Sequence, residues 1–78
     1  MARIRLLREA EAGERKGFRA EVDCGYARVA QDGTTYLLLE TYGGDDRERV
    51  GQVSQTLHFD RERARELKRI IDITFPGL

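Results

Sequence analysis

The sequence predicts an α+β fold, in which an antiparallel β-meander of three to four strands is followed by one C-terminal helix. Three observations favour it: segments that alternate apolar and polar residues, an Asp-Gly dipeptide between two of them, and helical spacing of apolar residues near the C-terminus. With 78 residues the chain fits one domain. We expect residues 1–17 to form an N-terminal arm or first strand, and residues 18–78 the meander and helix.

The N-terminal segment is ambiguous in its periodicity. Ile4 and Leu6 alternate as in a strand, whereas Leu7 and Ala10 suit a helical turn. The segment is also basic, because residues 1–19 hold six basic against three acidic side chains, although the whole chain has 14 of each. A basic arm on a mildly acidic body and an ordinary charged surface both fit this pattern.

The first clear strand lies in "FRAEVDCGYARVA", where the apolar face changes parity at Gly25. A β-bulge at Gly25 is expected to restore the register. The inward side chains would then be Phe18, Ala20, Val22, Cys24, Ala27 and Val29. Tyr26 and Arg28 would point outward.

A hairpin and a third strand follow. "QDGT" contains the Asp-Gly pair typical of a two-residue hairpin turn. The next two runs, "TYLLLETY" and "GQVSQTLHF", alternate at period two. Their predicted inward residues are Leu37, Leu39, Val53, Leu57 and Phe59. Their predicted outward residues are Tyr36, Leu38, Glu40, Tyr42, Gln52, Ser54, Thr56 and His58.

The C-terminal helix has a start signal and a stop signal. Asp60 is a good N-cap before a run with apolar residues at helical spacing, namely Ala64, Leu67, Ile70 and Ile71. Pro76 disfavours helical geometry at Phe75, so the helix should end before it.

The loop "TYGGDDRERVG" supports two hypotheses. Asp45 and Asp46 behind two glycines are compatible with a metal-binding or catalytic loop. Turn chemistry accounts for the same residues, since glycine allows positive φ and aspartate bonds its own backbone. We favour the hairpin tip, with Arg47 and Arg49 available to phosphates and no metal bound.

We identify no candidate catalytic residues in the sequence. Cys24 and His58 are single residues assigned to opposite faces, so they form neither a nucleophile–base pair nor a zinc site. Cys24 is expected to be a small buried side chain. We therefore predict no enzyme activity and no cofactor. No long apolar stretch or signal peptide is present, so we expect a cytoplasmic protein without membrane contact.

The predicted outer face carries aromatic, basic and short polar side chains of the kind that bind single strands. A solvated sheet surface is the alternative, because Tyr, Thr and Arg also favour strands. A core this small needs another source of stability, and we expect a homodimer. The candidate nucleic-acid-binding residues are Arg28, Tyr36, Tyr42, Arg47, Arg49, Gln52, Ser54 and Thr56.

From Tyr26 to Ile71 the chain resembles the positive cofactor four family of transcriptional coactivators. "YARVAQDGTTYLLLETYGG" is similar to the central hairpin of that family, and "LHFDRERARELKRII" to its strand-to-helix junction. Gln55-Thr56 and Ala64 stand where the family has a Lys-Gly pair and a tryptophan. The resemblance implies a dimer that binds single-stranded DNA across its sheet, and a role in transcription regulation.

Two functional hypotheses follow from the sequence. The first is a homodimer that binds single-stranded DNA or RNA with little base specificity. The second is a small protein-interaction or regulatory subunit, for which zero net charge and an outward Leu38 are natural.

Overall fold

A computed structural model describes residues 1–11, 13–14, 21–43 and 52–78. These residues form a mixed four-stranded sheet followed by one C-terminal helix. The elements are β1 (Ala2–Arg3), β2 (Cys24–Gln31), β3 (Thr34–Tyr42), β4 (Val53–Phe59) and α1 (Arg61–Thr74). The strand order is β1-β4-β3-β2. The predicted antiparallel meander is thus confirmed as β2-β3-β4, and β1 joins its edge parallel to β4.

The β2–β3 hairpin has the turn that the Asp-Gly pair predicts. Asp32 and Gly33 adopt φ values of 52° and 79°, and the strands pair from Gln31 with Thr34 onward. Positive φ at both turn residues matches the twist of the flanking strands, which explains why this dipeptide closes a two-residue hairpin. The turn therefore fixes the register of the whole β2–β3 ladder.

The predicted bulge at Gly25 is wrong. The β2–β3 ladder runs without interruption from Cys24 opposite Thr41 to Gln31 opposite Thr34. Directly opposite residues share a face, so Tyr26 and Arg28 lie beside the leucines of β3 that the sequence had assigned inward. Ala27 and Val29 lie on the other face. The parity change thus reflects two partly apolar faces rather than an extra residue.

A register shift occurs instead between β3 and β4. Thr41 pairs with Gln55 and Tyr42 with Val53, so Ser54 is the extra residue. Ser54 uses its hydroxyl locally, at 2.8 Å from the Thr41 hydroxyl. The shift turns Val53 to the face of Tyr42, which corrects the inward assignment of Val53.

The helix begins and ends where the sequence predicts. The Asp60 carboxylate accepts a 2.7 Å hydrogen bond from the Arg63 backbone N–H, which satisfies one free donor of the first turn. Phe75 leaves the helix with φ −124° and ψ 78°. The first turns of α1 lie over Phe59, since Ala64, Leu37 and Phe59 line one cavity.

The described part of the chain buries little apolar surface. Among the described residues only Phe59 is a buried hydrophobic side chain, at 5% exposure. No residue of α1 is buried, and Ile70 and Ile71 remain 45% and 37% exposed. The apolar stripe of the helix therefore extends beyond the surface that its own sheet offers.

Candidate nucleic-acid interface

The sheet has one face away from α1, which we call the open face. It is defined by strand alternation and by the paired positions of neighbouring strands. All four strands contribute residues to it: Arg3 from β1, Gly25, Ala27, Val29 and Gln31 from β2, Tyr36, Leu38, Glu40 and Tyr42 from β3, and Val53, Thr56 and His58 from β4. The opposite face carries Phe59, Leu37 and Leu39.

One corner of the open face brings together a guanidinium and two aromatic rings. The Tyr36 and His58 rings meet edge to face, with centroids 6.4 Å apart and planes at 82°. Arg3 donates from Nη1 to the Tyr36 hydroxyl oxygen over 3.4 Å. These three side chains, together with Met1 and Gln31, border a shallow cavity of about 230 Å³. We call this group the β1 corner.

The β1 corner exists because β1 is held at the sheet edge. Arg3 pairs with His58, and the backbone N–H of Ile4 donates to the His58 carbonyl over 2.9 Å. Two residues further on, the Arg63 Nη1 donates to the Arg5 carbonyl over 2.8 Å. The helix and β4 thus both hold the segment that delivers Arg3.

Tyr42 occupies the other end of the open face. Its hydroxyl donates a 2.9 Å hydrogen bond to the Glu40 carboxylate, and this bond raises the pKa of Tyr42 above its ordinary value of 10.0. The ring lies across β2 at Gly25, where a Cβ would stand 2.6 Å from the Tyr42 hydroxyl oxygen. Gly25 is therefore a position of close side-chain approach, which is a common reason for glycine within a strand.

The predicted site residues separate into three groups. Tyr36, Tyr42 and Thr56 share the open face, as the outer-face hypothesis expects. Arg28 lies on the opposite face with Tyr26, which is 78% exposed. The predicted grouping of Arg28 with Tyr36 is therefore wrong.

The other predicted residues lie near the bulge or outside the described residues. Gln52 is exposed just before β4, and its carbonyl accepts from the Gly43 N–H over 2.9 Å. Ser54 is engaged with Thr41. Arg47, Arg49, Asp45 and Asp46 lie outside the described residues, so the hairpin-tip hypothesis stays a prediction.

Two residues of the β1 corner, Arg3 and His58, were not among the candidate residues predicted from the sequence. Arg3 was not placed because a two-residue strand has no periodicity to detect. His58 was treated as a structural histidine, although its outward parity was recognised. The one sequence signal was the alternation of Ile4 and Leu6, which favoured a strand in the basic N-terminal segment.

Metal binding and cysteine chemistry have no supporting arrangement among the described residues. The described part of the chain contains no group of three or more His, Cys, Asp or Glu side chains arranged to hold a metal ion. Cys24 is exposed on the face opposite His58, which corrects its expected burial. Within the same residues, no helix combines the length and apolar character needed to cross a membrane.

Comparisons with protein-family models, curated proteins and solved structures find no significant match for this chain.

Proposed function

We propose that this chain binds single-stranded nucleic acid, DNA in the first instance, across the open face and with little base specificity. The observation that carries the proposal is the β1 corner, where a guanidinium and two aromatic rings converge on one sheet face. Tyr42 adds a third ring on the same face. Aromatic rings stack any base, and arginine pairs with phosphate, so these groups favour binding without base selection.

The spacing of the aromatic groups suits an extended strand rather than a single small ligand. Tyr36 and Tyr42 are six residues apart on β3, which corresponds to about 20 Å along the strand. Leu38 and Thr56 lie between them on the open face and offer apolar contact and a hydroxyl. Several nucleotides therefore have surface to lie on.

The charges of the open face give the bound strand a preferred side. Arg3 is positive at the β1 edge, whereas Glu40 is negative beside Tyr42. A phosphate backbone is attracted to the first and repelled by the second. We therefore expect the backbone to follow the β1 edge, with bases directed toward β3.

We propose that the chain forms a homodimer through the exposed apolar residues at the C-terminal end of α1. Ile70, Ile71, Ile73 and Phe75 are 37% to 69% exposed, which is unusual for neighbouring apolar residues in one short segment. A second copy offers the same surface, so a two-fold interface pairs the exposed stripes with each other. This arrangement leaves the open face free.

A titration with a labelled oligothymidylate of about 12 nucleotides tests the binding proposal. Tyr36→Ala and Tyr42→Ala should each weaken binding by about 1–3 kcal/mol if the ring stacks on a base. Tyr26→Ala is the matched control, because it removes an exposed tyrosine from the opposite face. Equal effects of all three substitutions would contradict the assignment of the open face.

A protein-interaction subunit is the second candidate. It is favoured by Leu38 and Val29, which are only half-buried on the open face, and by the zero net charge of the chain. In that case the parent protein should not bind the oligonucleotide even at low salt, where electrostatic attraction is strongest.

A further inference from the structure

We infer that the β1 corner is a subsite for one nucleotide, with its base against Tyr36 and His58 and its phosphate on Arg3. The inference rests on the proposed function and deepens it, because it assigns roles to Arg3 and His58. It also makes the N-terminal strand part of the binding surface.

The ring geometry fits one flat base. Rings at 82° form two walls of a corner, so a base stacked on one ring presents its edge to the other. The cavity of about 230 Å³ exceeds the volume of about 150 Å³ that suffices to hold benzene. The cavity therefore has enough volume for a planar base.

The polar groups at the rim match the rest of a nucleotide. The Arg3 guanidinium meets the Tyr36 hydroxyl in a long contact of 3.4 Å, which is weaker than a bond to a phosphate oxygen. Gln31 borders the same cavity, and its amide offers a donor and an acceptor to the edge of a base. Since one amide satisfies many base edges, the subsite selects a nucleotide without selecting its base.

The anchoring of β1 makes the arrangement specific to the folded chain. The Ile4 N–H donates to the His58 carbonyl of β4, and the Arg5 carbonyl accepts from the Arg63 side chain of α1. The backbone of Arg3 is thereby fixed at the sheet edge, opposite His58. The root of the Arg3 side chain is therefore in place before a phosphate binds, and no strand has to be ordered on binding.

The test is a salt titration of the labelled oligothymidylate with three variants. Arg3→Gln should reduce the slope of log affinity against log salt by about 0.7, the value for one phosphate contact on a single strand. His58→Ala should weaken binding roughly fivefold to hundredfold at every salt concentration, with the slope unchanged. Arg65→Gln is the matched control, since it removes an equal charge from an exposed helix position away from the open face.

His58 also provides a direct readout in the parent protein. It is the only histidine of the chain, so its ring resonances in an NMR spectrum are unambiguous. They should shift when the oligothymidylate is added, and the shift does not depend on a variant that folds.

The outcomes separate the subsite from the proposed function. If the parent binds the oligonucleotide but the His58 resonances stay fixed and Arg3→Gln behaves as the control, the subsite is refuted and binding elsewhere on the open face survives. If the parent does not bind the oligonucleotide, the proposed function is refuted. Thymidine 5′-monophosphate then decides the subsite: a His58 shift that Arg3→Gln abolishes supports a site for a free nucleotide, and no shift refutes it.

Discussion

Truncation of the two neighbouring isoleucines of α1 should weaken self-association strongly. Ile70 and Ile71 lie side by side in the apolar stripe and remain 45% and 37% exposed in the single chain. The proposed homodimer covers them, whereas a monomer leaves them in water. The double substitution Ile70→Ala/Ile71→Ala therefore acts mainly on the dimer.

The magnitude follows from the exposed fractions. Full burial of an isoleucine side chain contributes about 1.5–3 kcal/mol, and the two residues together leave roughly four fifths of one side chain to be buried. Both copies contribute, so the double variant should lose about 2–5 kcal/mol of association free energy. This corresponds to a dissociation constant raised roughly 30- to 4,000-fold. Alanine keeps one methyl carbon, which favours the lower half of that range.

Sedimentation velocity over a range of micromolar concentrations measures this effect. Arg65→Ala/Asp72→Ala is the matched control, because both residues are exposed on the other side of the helix and the pair preserves net charge. The reasoning fails if the parent sediments as a monomer at micromolar concentration. It also fails if the isoleucine variant and the control dimerise equally well.

Three further substitutions test the open face and the helix start. Glu40→Gln should tighten oligonucleotide binding by removing a carboxylate that repels phosphate, and an unchanged or lower affinity in a titration would contradict this charge placement. The same variant should lower the pKa of Tyr42 toward 10.0 in a spectroscopic titration, because the bond to Glu40 is the main cause of its elevation. The raised pKa stabilises the folded state, and this contribution is fully present below pH 10. The contribution is lost as the pH rises through the folded-state pKa of Tyr42. In Glu40→Gln the free energy of unfolding should therefore fall less steeply with pH above pH 10. Gly25→Ala should reduce oligonucleotide affinity as Tyr42→Ala does, since its Cβ would displace the Tyr42 hydroxyl; unchanged affinity would separate Tyr42 from binding. Asp60→Ala should lower the free energy of unfolding by about 0.5–2 kcal/mol through loss of the N-cap bond to Arg63, measured by denaturant titration; a change within error would show that the cap contributes nothing.

Local signals in the sequence predicted the elements well. The Asp-Gly turn, the Asp60 cap and the end of the helix before Pro76 each depend on the conformational preferences of one or two residues. These preferences act within a few residues of the chain, so the local sequence contains all the information that specifies the turn, the cap and the helix end. The α+β class followed from them together with period-two alternation.

The candidate site was predicted only in part. Tyr36, Tyr42 and Thr56 were assigned together correctly, because they belong to strands with uninterrupted alternation up to the bulge. Arg28 was assigned to the wrong face because both faces of β2 carry small apolar residues, and a one-residue change of parity reverses every side chain. The hydrophobic pattern alone does not distinguish these registers.

By itself, the sequence determined the order of β2, β3, β4 and α1 along the chain, the hairpin turn, the helix bounds and the apolar stripe of α1. The tertiary structure alone decided three things: the regular β2–β3 register, the bulge beside Ser54, and the place of Arg3 next to His58 and Tyr36. The physical reason is the range of the interactions. Turns and caps are satisfied by neighbours in the chain, whereas a sheet register depends on backbone pairing between segments that are distant in sequence. For Arg3 and His58 that separation is more than fifty residues, and only the folded edge of the sheet brings them together.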